Sequence, residues 1–411
     1  MSGKKILILG LGYVGLPLYL ILQSKKLDVT GYDVDSSKIL SLKKKNFLFK
    51  EKSLNNLYQK LNKNKKLTFV NKFVRSDVYI ICVPTPVKKN NKFDSRYINE
   101  CFNLIIKNLK NDDLIIIEST CAPLTTEKLY SQIKKERKDL FENNMSVNIA
   151  YCPETIIPGN TLYEMKNNTK LIGGITEKSS KEASKIYLKF NKNIILTSSI
   201  LAEMAKLSQN AYRDVNIALA NEIDNICKKL NVHSSDLINL SNLHPRVNIH
   251  QPSIGVGGHC IPVDPWFLIK NYNSTDLIKS SRKINDDRPK YFYKKLLIFI
   301  QNYQKNNNLK NIKIGFLGLS YKPNTDDIRE SSSLKIISFF LKNQTEKILF
   351  KINDPLFEKK ITFNNTKLDN IELSEIIKWS DLVVLLVNHD NYKKNIKIQK
   401  MKNKIVLPDD L

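Results

Sequence analysis

The chain of 411 residues carries 66 Lys plus Arg against 40 Asp plus Glu, a net charge of +26. This length implies two to three domains at roughly 150 residues each, every one able to bury a core without a disulfide or metal staple. No run approaches the ~18 apolar residues of a membrane-spanning helix, the charge favours anionic partners, and the six cysteines include no CxxC pair and no His at metal-ligand spacing, which argues against zinc or a disulfide framework and for a reducing cytoplasm.

In chain order, residues 6–10, 29–33, 78–83, 114–118 and 148–151 are short apolar runs rich in Ile and Val. Helical stretches separate them, such as 95–109, where Ile98, Phe102, Ile105, Ile106 and Leu109 recur at three- and four-residue spacing. Strands alternating with helices imply crossover connections and a parallel sheet. From residue 200 the pattern turns helical, to about 230 and again over 274–304, before strands resume at 312–317, 347–352, 382–387 and 404–407. The architecture expected is α/β, a helical connector, then a second α/β unit. Lys4-Lys5 and the apolar stretch to Leu22 imitate a secretory signal, but three glycines interrupt the stretch and no small-x-small cleavage site follows. The lysines are spread along the chain, often beside Asn, outside any nucleic-acid module. That reads as a solvated surface, with a basic nucleic-acid binder as the competing account.

Glycine is scarce, about 3% against a usual 7% or so, and ten of the 13 fall in four clusters. Gly10-Leu-Gly12-Tyr-Val-Gly15 follows the first strand and opens a helix, and Asp33 ends the next strand. Gly10 would make the tight turn, Gly12 leave room for a pyrophosphate at the helix N-terminus and Gly15 let the helix pack on the strand, while Asp33 accepts from the adenosine ribose. An acid there repels a 2′-phosphate and favours NAD over NADP. The alternative is a structural glycine turn with Asp33 facing solvent.

Lys206 and Asn210 are four apart in a helical segment and share a face. They are a solvated surface pair unless a reactive group lies near. Gly255-Val-Gly257-Gly258-His259-Cys260 supplies a candidate, a cysteine on a glycine-flanked loop ahead of Pro262, Asp264 and Pro265. The glycines there would let a flat ring or sugar approach the backbone. Adjacent residues of an extended segment point to opposite sides, so His259 is a poor base for Cys260, whereas Lys206 would lower the thiol pKa and hold an oxyanion.

These motifs resemble the UDP-glucose/GDP-mannose dehydrogenase superfamily, most closely its UDP-N-acetyl-D-mannosamine 6-dehydrogenase branch. The resemblance runs in order through GLGYVGLP (10–17), VPTP (83–86), EST (118–120), CPE (152–154), AEMAKLSQNAYRDVNIA (202–218), HPRVNIHQPSIGVGGHCIPVDPWF (244–267) and YKPNTDDIRES (321–331). It implies two Rossmann-like parallel-sheet domains joined by a long central helix and helical dimerisation region: an NAD-binding domain (1–199), a central domain (200–305) and a UDP-sugar-binding domain (306–411). The implied reaction is a four-electron oxidation of a sugar 6-hydroxyl with NAD, through a thiohemiacetal and thioester on Cys260. Lys206 and Asn210 match the oxyanion pair, Asp264 the carboxylate orienting water and Lys206, and Glu154 and Thr120 the residues of water activation and proton transfer. Gly10, Gly12, Tyr13, Val14, Gly15, Asp33, Lys38, Thr85 and Arg329 match cofactor positions, Lys322 lies near the diphosphate, and Arg246 matches an arginine donated across a homodimer interface. Pro158 stands where UDP-glucose dehydrogenases carry a second Glu, and together with HPRVN and Trp266 it tilts the reading to UDP-N-acetylmannosamine over UDP-N-acetylglucosamine, UDP-N-acetylgalactosamine or UDP-glucose. The implied setting is a cytoplasmic supply of bacterial capsule or O-antigen precursor. A two-electron hydroxy-acid dehydrogenase, needing no thiol, and an inactive nucleotide-binding scaffold are the competing readings.

Overall fold

Runs of Ile, Val and Leu with both faces apolar can be satisfied only in a sheet covered on both sides, and the first such run, Lys5–Leu9, opens a sheet of that kind. The computed structural model describes residues 3–47, 49, 51–64, 67–88, 90–142, 145–157, 159–343, 347–363, 366–394 and 405–408. Their elements are, in order, β1 (Lys5–Leu9), α1 (Gly15–Ser24), β2 (Asp28–Tyr32), α2 (Ser36–Lys43), α3 (Lys52–Asn64), β3 (Phe69–Val70), β4 (Val78–Ile81), α4 (Arg96–Ile106), β5 (Leu114–Ile117), α5 (Thr125–Glu136), β6 (Asn148–Tyr151), α6 (Thr161–Asn167), β7 (Lys170–Gly174), α7 (Glu177–Tyr187) and β8 (Ile194–Ser198). There follow α8 (Ser199–Lys229), α9 (Ser234–Ser241), α10 (Pro265–Ile269), α11 (Asp276–Asn306), β9 (Ile312–Leu317), α12 (Ser332–Lys342), β10 (Ile348–Asn353), β11 (Lys360–Phe363), β12 (Thr366–Asp369), α13 (Leu373–Trp379), β13 (Leu382–Leu385), α14 (Asp390–Lys393) and β14 (Ile405–Val406). Among the described residues no helix is long and apolar enough to cross a membrane.

The chain divides into two compact units, residues 1–209 with 266–271 and residues 210–265 with 272–411. In the first, eight strands form one sheet in the order β3-β2-β1-β4-β5-β6-β7-β8. Pairing is parallel except between β6 and β7, where Ala150 faces Gly174 antiparallel. Alternate residues of β1 serve opposite cores: Ile6 and Ile8 pack on one face, Leu7 and Leu9 on the other. Helix α4 buries the stripe its spacing announces, Ile98, Cys101, Phe102, Ile105 and Ile106. The reversal of strand order lies between β1 and β4, and in such sheets ligands bind beyond the strands' carboxyl ends at that point.

In the second unit the sheet runs β10-β9-β13-β14, all parallel. Helix α11 is tied to its stretch of α8 by buried polar groups. Arg282 pairs with Asp214, Asn285 Nδ2 donates to the Asp214 main-chain oxygen at 2.8 Å, and Arg288 pairs with Asp224 while its Nε donates to the Ser253 carbonyl at 3.0 Å. Arg288 thereby fixes the start of the loop that carries Cys260. β14 begins at Ile405, since residue 404 lies outside the described residues, as does Pro158.

Candidate active site

The turn after β1 has the three glycines in three distinct environments. Gly10 takes φ +96°, and a Cβ on it would come within 2.6 Å of the Cys82 carbonyl oxygen. A Cβ on Gly15 would lie 1.9 Å from the Gly10 oxygen, whereas one on Gly12 meets nothing within 4 Å. The first and third glycines are demanded by packing, and the middle one leaves open space at the N-terminus of α1. That arrangement fits a pyrophosphate. Asp33 is buried, with Oδ2 accepting the Leu11 N–H at 2.8 Å and the Lys38 ammonium at 2.7 Å, and Oδ1 accepting the Asp35 N–H at 3.0 Å. A carboxylate offers about four acceptor sites, so with three of them used Asp33 braces the turn. Val14 is half-buried just ahead of α1, and Tyr13 stacks on Phe49 with centroids 4.6 Å apart.

The half-buried Thr85 lies on the loop beyond β4, Thr120 beyond β5 and Glu154 beyond β6, all at the carboxyl edge. Glu154 is held at three points. Its Oε1 accepts the Thr155 N–H at 2.8 Å, its Oε2 accepts the Lys170 ammonium at 3.0 Å, and its main-chain oxygen accepts the Lys206 ammonium at 2.7 Å. Lys170 also donates to Glu118 Oε2 at 2.8 Å, and the Tyr187 hydroxyl hydrogen-bonds Glu118 Oε1. Burial pushes the Glu118 carboxyl up to about 7 against the pull of Lys170. Burial would lower the Lys170 ammonium, but the two carboxylates outweigh it and hold it above the usual lysine value. Glu118, Lys170 and Tyr187 are the residues that sequence reasoning passed over. The available signal was a lysine opening the otherwise apolar run Lys170–Gly174.

In the second unit Cys260 is partly exposed, while Cys82, Cys101, Cys121, Cys152 and Cys227 are buried. The Cys260 carbonyl accepts the N–H groups of Val263 and Asp264 at 3.0 and 2.8 Å, closing a turn that delivers Asp264 beside it. Asp264 is buried, and its Oδ2 accepts the Asn210 amide at 2.5 Å. The structure therefore joins Asn210 to Asp264 and Asp264 to the Cys260 turn, and joins Lys206 to Glu154.

The loop glycines have a different cause from the one expected. A Cβ on Gly257 would meet Tyr321 Cβ at 2.7 Å and the Glu330 oxygen at 2.9 Å, and one on Gly255 would meet Ser332 Oγ at 2.6 Å. Gly258, at φ +85°, faces the Tyr321 ring and donates its N–H to the Arg329 carbonyl at 2.9 Å. Protein, not ligand, fills the space these glycines clear. The loop is irregular where an extended segment was expected, and the charge of His259 acts on Asp327. Asp327 also takes the Arg329 guanidinium, at 2.5 Å from Nη2. Lys322 is half-buried with its ammonium 5.7 Å from the Tyr321 ring centroid, and Arg246 is exposed beyond α9 beside His244.

Residues 4–191 match the NAD binding domain, 201–287 the central domain and 315–409 the UDP binding domain of the UDP-glucose/GDP-mannose dehydrogenase family. The chain belongs to that family. Accordingly it is an NAD-dependent nucleotide-sugar dehydrogenase with NAD as its cofactor. Among curated relatives it is 40% identical over 414 residues to the UDP-N-acetyl-D-mannosamine dehydrogenase of Methanococcus aeolicus, covering 98% of this chain and 90% of that one. It is 36% identical to the enzyme of the same name from Campylobacter jejuni, covering 97% and 98%. Among solved structures it is similar to the UDP-D-ManNAc dehydrogenase of Pyrococcus horikoshii, with a TM-score of 0.86, 32% identity, and 98% and 93% coverage.

Proposed function

We propose that the chain oxidises UDP-N-acetyl-D-mannosamine at the 6-hydroxyl to the uronate, with Cys260 as the covalent nucleophile. The observation that carries this reading is the placement of Cys260, the one cysteine with solvent access, on a loop whose turn sets it beside Asp264 and Asn210. The relatives named for this substrate support the choice of sugar. The Gly10–Gly15 turn and Asp33 would hold NAD, which would supply the hydride acceptor for both oxidations. The chain's residues do the rest. Cys260 Sγ adds to the C6 aldehyde to give a thiohemiacetal, whose oxidation leaves a thioester that water cleaves to the carboxylate and the regenerated thiol. Lys206 and the Asn210 amide stabilise the oxyanions. Asp264 fixes the Asn210 amide, and Glu154, assisted by Thr120, takes the proton of the attacking water.

The reading extends to three segments, 1–199 for NAD, 200–305 for association and catalysis, and 306–411 for the UDP half of the substrate. Within the second unit Tyr212, Leu219 and Ile226 recur every seventh residue on α8 and are exposed, as are Leu237, Leu240 and Leu243 on and just beyond α9, Leu243 at 79%. Apolar surface of this kind marks an interface, and a second copy of the chain is the proposed occupant, with Arg246 beside Leu243 donated across it. The setting proposed is cytoplasmic, supplying a surface-polysaccharide precursor.

A panel of UDP-sugars assayed for NADH formation tests the substrate: UDP-N-acetylmannosamine should give the highest kcat/KM, and a preference for UDP-glucose would overturn the assignment. Cys260→Ser should lower turnover by ~1000-fold or more, with aldehyde-level product accumulating; undiminished turnover would point to a two-electron hydroxy-acid dehydrogenase. Sedimentation equilibrium should give twice 47.4 kDa.

A further inference from the structure

A cluster of buried charge to which this reaction gives only Glu154 a role lies at the carboxyl ends of β5 and β6. A lysine normally keeps its ammonium in water while its stem lies on protein. Lys170 does the reverse: its side chain is 7% exposed, its ammonium contacts Glu118 and Glu154, and it lies 5.0 Å from the Tyr187 ring centroid. We propose that Lys170 is the positioning residue for Glu154, clamping its carboxylate through a buried ion pair while Glu118 and Tyr187 anchor the ammonium.

The asymmetry of the two carboxylates carries this assignment. One counter-ion is enough to neutralise a buried lysine, and Glu118, with a side chain wholly shielded from solvent, supplies it. The second carboxylate, Glu154, keeps 10% exposure at the edge of the sheet. Water reaches only that partner. With Oε1 fixed by Thr155 N–H and the main-chain oxygen fixed by Lys206, the Lys170 bond to Oε2 removes the remaining freedom of the side chain.

The titratable groups facing this cluster are few. Cys82 just beyond β4, Cys152 just beyond β6 and Tyr187 on α7 are all driven up by burial and stay neutral. That leaves Lys170 and Lys206 as cations and Glu118 and Glu154 as acids. The Lys170 ammonium thus bridges two carboxylates, one shielded from solvent and one at the edge of the sheet.

The inference rests on the reading of Glu154 as the group that activates water, and the test separates the two. In full-length protein Lys170→Met should lower kcat at least 10-fold and leave KM for UDP-sugar and NAD within twofold. Lys170→Arg should restore kcat. Lys170→Met combined with Glu118→Gln removes the unpaired buried acid, keeps the protein folded, and should show the same fall in kcat. If that double variant keeps wild-type kcat while Glu154→Gln is inactive, the positioning role is wrong and the reading of Glu154 stands. If Glu154→Gln turns over normally, both fall.

Discussion

The two sheets begin with the same turn, built to opposite ends. After β1, Gly10 N–H donates to the Tyr32 carbonyl at 2.8 Å and Leu11 N–H to Asp33 at 2.8 Å. After β9, Gly318 N–H donates to the Asn353 carbonyl at 2.9 Å and Leu319 N–H to Asp354 at 2.7 Å. Both glycines are left-handed, at φ +96° and +85°. The divergence is two residues beyond each glycine. Gly12 opens onto empty space, whereas Ser320 is buried, donates to the Lys322 carbonyl at 2.9 Å and lies 3.1 Å from His389 Nε2, which also meets Asp354 at 3.1 Å. An aspartate at the end of the second strand is therefore a brace for the turn in both units. At the third position the first turn has no side chain and the second has a buried, hydrogen-bonded one.

Substitutions at these two turns break or sharpen the parallel. Gly15→Ala and Gly318→Ala should cost most, since a Cβ would lie 1.9 Å from the Gly10 oxygen and 2.3 Å from the Val387 oxygen; a loss above ~4 kcal/mol is expected in denaturant unfolding, and an unchanged midpoint would show that the turns are not packed as described. His389→Ala, which removes the side-chain partner of the buried Asp354 and leaves its backbone N–H donors, should cost about 2 kcal/mol. By contrast, Lys38→Ala at the corresponding Asp33, where the lysine is 28% exposed, should change stability by under ~1 kcal/mol. Gly12→Val should weaken NAD binding by calorimetry ~100-fold with stability unaltered, because its Cβ space is empty. Ser320→Gly should cost about 1 kcal/mol and confer no NAD binding on the second unit. A gain of binding there would mean that the side chain, not the rest of the turn, is what separates the two units.

Buried carboxylates of the two units also differ in their response to pH. Burial tends to raise the Asp354 carboxyl, but His389 and the Leu319 N–H outweigh it and hold it below its ordinary value of 3.8. Its contribution to stability is complete above that value and is lost as pH falls through the lowered one. Glu118 in the first unit has the opposite sign: raised from 4.5 to about 7, it contributes fully below 4.5 and progressively less as pH rises through 7. Asp354→Asn should flatten the acid side of a stability profile, and Glu118→Gln the drift between pH 4.5 and 7. Profiles that do not change would remove the assigned environments of Asp354 and Glu118.

Much of the first sheet was legible because β1, β4, β5 and β6 are unbroken apolar runs buried on both faces. β8 escaped notice because it is largely exposed, and β3 because two residues carry no period. Gly10, Gly12, Gly15 and Asp33 were readable because each has a separate steric or polar reason. The glycines of 255–258 were readable as glycines but not in their cause, since Tyr321 and Glu330 reach them from far along the chain. Lys170 was hidden by composition: among 66 basic residues, one buried lysine has no local mark.

The most direct test of the proposed chemistry is the count of NADH formed per UDP-N-acetylmannosamine consumed under excess NAD. Oxidation of the alcohol to the carboxylate takes up one water and passes two hydrides to NAD, so two NADH per sugar are expected, with the uronate as the sole product. One NADH per sugar, with the aldehyde released, would contradict a covalent role for Cys260.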